Sequence, residues 1–467
     1  MKPIDRRTFI GHSAAATLAL GLPAAAQDKK DQGGPNINPN PPPFVDQSKI
    51  DKAIEHGIKY LMANNAAHMQ RFSHANRQMQ HTELVLWTYV HADVKESEAN
   101  FQALLKDMLE RKLEATYCVA LQAMILEEIQ RVKYQTRIWQ CGQFLVDNQS
   151  AEGYWSYGDP TIYAEDPPGT PTTGGQRKDV ASGVGPAGKP KEMDSPLAAQ
   201  PGMRQKPPVG KHLKVEKKRD GAATDQSNSQ YAALGLRACH DAGIDLPPQV
   251  IDKAIAWWKN TQKKSEGAAV KLQFRDQGGR SVAVAGTKGV SGVMDRPEEI
   301  LAEPRGWCYG QHGDHKAYGS MTAGAIGTLA IYEYIKDNDG GSKKKTWRKD
   351  KDILSGIAWI AANFSVTGNP GPYEHGGFAV NSQQQYFYYL YALERAGMLF
   401  GTETMGDKYW YPEGAKVLCD IQKGDGSWGD GTRDTCFAIL FLKRATRPLD
   451  VATESASQMR ARVNGNK

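Results

Sequence analysis

Acid–base and metal-ligating side chains gather in the run Trp307-Cys-Tyr-Gly-Gln-His312-Gly-Asp314-His315. Two imidazoles with a carboxylate between them can pass a proton or hold a metal ion, and Gly313 sets them in a turn. His-x-x-His is also common in exposed loops, so the run marks a place and assigns no reaction. Asp225 and Asp434 each open an apolar helical segment, where a carboxylate either does chemistry or caps the helix. Asp225, His312, Asp314 and Asp434 are therefore the candidate catalytic groups. Trp307, Tyr309, Tyr318 and Tyr388 are the candidate substrate-binding walls. The last of these belongs to a ring-dense run, 383–391, able to line an apolar or sugar-stacking cavity.

The elements that must position these groups are helical. Apolar periodicity predicts helices over 48–64, 82–92, 97–112, 116–130, 134–149, 226–242, 248–262, 318–335, 351–364, 382–396, 410–422 and 434–444. Odd members carry charges on one face, such as Asp51, Lys52 and Glu55, and suit an outer layer. Even members, such as 117–126 and 321–330, are apolar or small nearly all round and suit an inner layer. No pair can bury its own apolar face alone, so the fold expected is all-α, an (α/α)6 toroid of repeated helix hairpins. An open superhelix is the alternative, but the sequence shows no polar capping repeat. The candidate site is expected at the mouth formed by inner-helix starts, where unpaired N–H groups and positive dipole ends face an incoming molecule.

The 467 residues carry 58 Lys and Arg against 52 Asp and Glu, a net charge of +6. Much of the excess sits in low-complexity stretches, 206–219 and 343–351, which argues for solvated loops and against a nucleic-acid surface. Asp5-Arg6-Arg7-Thr8-Phe9-Ile10, an apolar run and Ala24-Ala25-Ala26 make 1–26 an export signal of twin-arginine type, or an ordinary secretory one. The expected location is periplasmic or otherwise extracytoplasmic, with the twin-arginine export machinery as a partner. Beyond the first thirty or so residues no apolar stretch is long enough to span a bilayer. Residues 27–44 read as a disordered linker, 45–446 as the toroid and 447–467 as a polar tail. Irregular insertions at about 159–223 and 263–305 leave outer-to-inner turns, and runs at 271–274 and 281–285 can pair as a hairpin. The six cysteines lack tight metal-type spacing.

Repeats tie these elements together. Leu145-x3-Gln149-x3-Gly153-x-Trp155 returns as Leu418-x3-Gln422-x3-Gly426-x-Trp428, and Ile50-Asp-Lys-Ala-Ile54 returns at Ile251–Ile255. Trp258-x3-Gln262 and Leu61-x3-Asn65 are degraded copies. In these phrases the chain resembles the prenyltransferase and squalene oxidase repeat group, which includes squalene–hopene cyclases and protein prenyltransferase β subunits. The resemblance implies that the Gln amide caps a helix end, that the indole packs on it, and that the lumen binds an isoprenoid or similar apolar ligand. The Asp-x-Asp-Asp run of the cyclases is absent. The nearest approach, Asp337-Asn-Asp339 before Gly340-Gly341, reads as a helix-ending turn. Asp434-Thr435-Cys436 matches the Asp-x-Cys part of the prenyltransferase zinc set, and His81 would supply the third ligand by closure. Cofactor and metal dependence stay open. Two other functions stand beside ligand binding: a carbohydrate-active hydrolase or lyase on the same fold, and a non-catalytic interaction scaffold.

Overall fold

In a computed structural model, residues 42–74, 77–131, 133–160, 213, 224–277, 279, 281–282, 300–309, 316–339, 345–371, 373–375, 378–380 and 382–449 are described. The expected export signal, most of the expected linker, His312, Asp314 and His315 lie outside them. Twelve helices of ten residues or more are present among the described residues. In order they are α1 Gln47–Ala63, α2 Thr82–His91, α3 Ala99–Glu110, α4 Thr116–Gln130, α5 Gln135–Asp147 and α6 Gln226–Asp241. They continue as α7 Pro248–Asn260, α8 Gly319–Asp339, α9 Lys351–Ala362, α10 Tyr386–Phe400, α11 Trp410–Ile421 and α12 Thr432–Leu442. The protein is all-α, with strands confined, among the described residues, to four antiparallel two-stranded hairpins.

Composition explains the layering. The amphipathic α1 buries a single stripe, Ile50, Ala53, Ile54, Gly57 and Leu61, and leaves its charges in water. By contrast α6 is buried along its whole length, and α2 everywhere but Val90. Each even-numbered helix packs on the even-numbered helix before it and the one after it, and α12 packs on α2. The first outer helix, α1, packs on both α11 and α12.

Three details differ from expectation. The tenth helix starts at Tyr386 because Gln385 sits in the left-handed region at φ 56°, and it runs to a Gly401 cap at φ 88°. The run at 271–274 meets the start of 281–285 only at its end, through the Val282 N–H on the Phe274 carbonyl and the Arg275–Ser281 bridge, while Val270–Leu272 pairs with Ile300–Ala302. Residues 447–449 are not free tail, since Leu449 is buried and Arg447 pairs with Glu127, Glu128 and Asp241. No helix among the described residues is long and apolar enough to cross a membrane.

Candidate functional site

The repeated phrase builds the frame of the site. Trp155 Nε1 donates to the Leu145 carbonyl at 2.7 Å and Trp428 Nε1 to the Leu418 carbonyl at 2.9 Å. Gln149 Nε2 donates to the Val250 carbonyl of α7, and Gln422 Nε2 to the Ala53 carbonyl of α1, both at 2.8 Å. Each glutamine thus ties the end of one outer helix to the start or middle of the next. The turn glycines are required twice over: Gly153 and Gly426 have φ of +105° and +88°. A Cβ there would also stand 2.3 Å from the Lys253 carbonyl or 2.4 Å from that of His56.

A third copy places its glutamine and indole in the same way although they are scattered in sequence, with Arg305 where the other two have glycine. Gln262 Nε2 donates to the Asp352 carbonyl of α9, and the indole of Trp307 to the Trp258 carbonyl at 2.8 Å. Trp307 is fully buried as this brace and does not wall the cavity described below. In the degraded first copy Asn65 donates to the Asn100 carbonyl of α3, and His68 Nε2 takes the indole's place on the Leu61 carbonyl at 2.9 Å. A carbonyl only accepts, so His68 carries its proton on Nε2.

All six even-numbered helices bring their N-terminal ends to one cavity of about 480 Å³. Its rings include Tyr117, Tyr231, Tyr309, Tyr318, Tyr388 and Phe437. Phe72, His74 and Met79 of the hairpin β1 (Phe72–His74) and β2 (Arg77–Met79) cover one side. The hairpin is fastened by His74 Nε2 to the Tyr157 hydroxyl at 2.8 Å and by Phe72 on the His81 ring at 5.0 Å.

Sequence reasoning passed over the one carboxyl among the described lining residues, Glu83. Burial raises its pKa against the opposing hydrogen bonds of Gln80, whose Nε2 lies 2.8 and 2.9 Å from the two carboxyl oxygens. The signal was a charged residue inside an otherwise apolar inner segment. Beside it His81 is pulled down to about 4 by burial, with His68 and Arg433 adding to the effect. A neutral imidazole and a carboxyl biased to its neutral form make the cavity less polar than its composition suggests.

Of the candidate residues, Tyr309, Tyr318 and Tyr388 line this cavity. Asp225 is consumed as the N-cap of α6, accepting from the Asn228 N–H at 2.9 Å, from Asn228 Nδ2 and from the Ser227 hydroxyl at 2.6 Å. Asp434 accepts from the Asp430 N–H at 2.9 Å and from Arg433 Nε at 3.2 Å. Neither carboxylate is among the lining residues. His312 and Asp314 lie outside the described residues. Cys436 is fully buried, and among the described residues no three His, Cys, Asp or Glu side chains converge as a ligand set, so Asp434, Cys436 and His81 do not form one.

The C-terminal ends of α2, α4, α6 and α10 meet a strap, the segment that follows α12. Thr446 donates through N–H and Oγ1 to the two carboxyl oxygens of Glu394, at 2.9 and 2.6 Å. Arg447 spans Glu127 and Glu128 of α4 and Asp241 of α6, and Arg237 holds the Arg447 carbonyl at 2.8 Å. A small pocket of about 40 Å³ lies there. Against this geometry, comparison with protein-family models gives no match for the chain, and comparison with curated proteins gives none either.

Proposed function

We propose that the chain is an exported, extracytoplasmic protein of the prenyltransferase and squalene-cyclase repeat type, a closed (α/α)6 toroid that binds an isoprenoid or similar apolar ligand in its lumen. The cyclic order of contacts, α2 to α12 and back to α2, supports the closed form. One observation carries the binding role: a ring-lined cavity of about 480 Å³ at the starts of all six inner helices, a size common for small-molecule sites. A glycoside hydrolase of the usual kind needs two spaced carboxyls, and the described lining supplies Glu83 alone.

The test is occupancy of the lumen. Lipid extracted from the purified mature protein is identified by mass spectrometry, and its rebinding is compared with that of Leu121→Trp, which places an indole where buried Leu121 lines the cavity. Rebinding that is lost in the variant at unchanged melting temperature is the expected result. Undiminished binding by a folded Leu121→Trp protein would move the ligand elsewhere.

A further inference from the structure

Many polar groups on the cavity wall are engaged by the protein itself. The Tyr388 hydroxyl donates to Gln230 Oε1 at 2.7 Å, the Ser227 hydroxyl donates to Asp225 at 2.6 Å, and the Tyr157 hydroxyl stands 2.8 Å from His74 Nε2. Gln80 Nε2 holds both carboxyl oxygens of Glu83. His81 differs. It lines the same cavity, half-buried, with its ring against Phe72 of the covering hairpin, yet its imidazole makes no hydrogen bond to a described residue. Burial holds the ring neutral at neutral pH, so it offers one N–H donor and one bare nitrogen acceptor. A ligand that dries this wall without matching them leaves both unpaired, which is costly.

The wall offers a charged group little. Arg433 is the only Lys or Arg among the described lining residues, and it is exposed and engaged by Asp434 at 3.2 Å. Helix N-terminal ends attract anions, but three of the six gathered here already carry an acidic side chain of the protein's own: Glu83 on α2, Asp225 at the cap of α6 and Asp434 on α12. A ligand carboxylate or phosphate would therefore be buried without a free cation beside it. A ligand ammonium would meet Glu83, the one described carboxyl of the lining, but burial disfavours the charged form of that group. Arg433 and the dipole ends oppose a second cation as well.

We infer that the cavity takes an uncharged alcohol with a long apolar chain, the chain among the rings and the hydroxyl on the His81 imidazole. This rests on the ligand-binding role proposed above. A hydroxyl both donates and accepts, so it matches either ring nitrogen whichever of them carries the proton. A hydrocarbon of the same length fills the space among the rings equally well but leaves the imidazole unmatched.

The test uses the full mature chain at neutral pH with radiolabelled dodecanol, dodecanoic acid and dodecylamine, each below its solubility limit. Dodecanol should bind about tenfold tighter than either charged analogue, since each of those must shed its hydration or its charge to enter. His81→Phe should weaken dodecanol about fivefold, and His81→Gln, which keeps a donor and an acceptor, should recover most of that loss. A folded His81→Phe protein that binds dodecanol undiminished overturns the contact with His81. Should His81→Phe not fold, diethyl pyrocarbonate modification of His81 in the unaltered protein decides: saturation with dodecanol should suppress it, and unchanged modification overturns the contact. Equal binding of the three ligands, or tightest binding of the acid or the amine, overturns the uncharged class and leaves the apolar cavity standing. Binding of none of the three overturns both.

Discussion

The side-chain amide of Gln422 donates to the main-chain carbonyl of Ala53 at 2.8 Å, across 369 residues of sequence. It makes the same bond between the ends of the chain that Gln149 makes to Val250 and Gln262 to Asp352 within it. The contact between α11 and α1 is therefore built like those between α5 and α7 and between α7 and α9.

Gln422→Ala removes this bond and the one to the Gly426 carbonyl at 2.9 Å. A loss of about 2 kcal/mol is expected, with a similar loss for Gln149→Ala. Urea denaturation monitored by Trp fluorescence measures it. A midpoint equal to the unaltered protein's would show that this contact is held by packing alone.

The indoles of Trp155, Trp307 and Trp428 are fully buried, and their replacement by Ala should each cost about 3–5 kcal/mol. Gly57→Ala attacks the third from the other side, since its Cβ would stand 2.7 Å from the Trp428 ring and 2.9 Å from Ile439. Overpacking of this kind should cost about 1–3 kcal/mol. Calorimetric melting of the four variants checks both figures, and near-equal melting temperatures would remove the brace assignment.

Burial raises Glu394 from 4.5 to about 7, against the opposing bonds from Thr446. A carboxyl whose folded pKa lies above its unfolded value favours the fold when protonated. Its contribution is complete below 4.5 and is lost as pH rises through about 7. Glu394→Gln should remove that fall. Denaturation of both proteins across this window should give a stability difference that grows in the variant's favour towards alkaline pH, and a flat difference would remove Glu394 as the titrating group.

Arg447→Ala leaves Glu127, Glu128 and Asp241 facing one another without their shared cation. Breaking a buried pair on one side should cost about 3 kcal/mol. The loss should persist in high salt because Glu127 and Asp241 have side chains only 3% and 1% exposed. Guanidinium and urea denaturation compared at equal extent of burial would reveal screening if the pairs were solvated.

Much of this was written locally. The alternation of one-faced and all-round apolar segments predicts the helices to within a few residues, because burial on one side or on all sides selects composition directly. The shift at the start of α10 comes from Gln385, a residue type that gives no warning of a left-handed backbone. Trp307 reads as a cavity wall in sequence because Trp258 and Gln262, which complete its brace, lie an insertion away, and a spacing pattern cannot bridge a loop of arbitrary length. Asp225 and Asp434 sit at helix starts as expected, but which acceptors their neighbours would occupy is a matter of turn geometry. Glu83 and Arg447 act through residues on other helices, and single-chain periodicity holds no record of those pairings.

The joint between Gln422 and Ala53 also governs how the protein can be made. In an open array of helix pairs the terminal pair can be trimmed and the remainder still folds from its neighbours. Here α1 and α2 keep exposed apolar faces until α11 and α12 have been synthesised and docked. The final contacts are thus among the most distant in the sequence, and their closure is expected to be the slow, late step of folding. A chain stopped before α12 would present two unsatisfied surfaces to its surroundings, so truncation near the C-terminus should cause aggregation in the cell sooner than a backbone cut between Asp159 and Thr224 in the full chain.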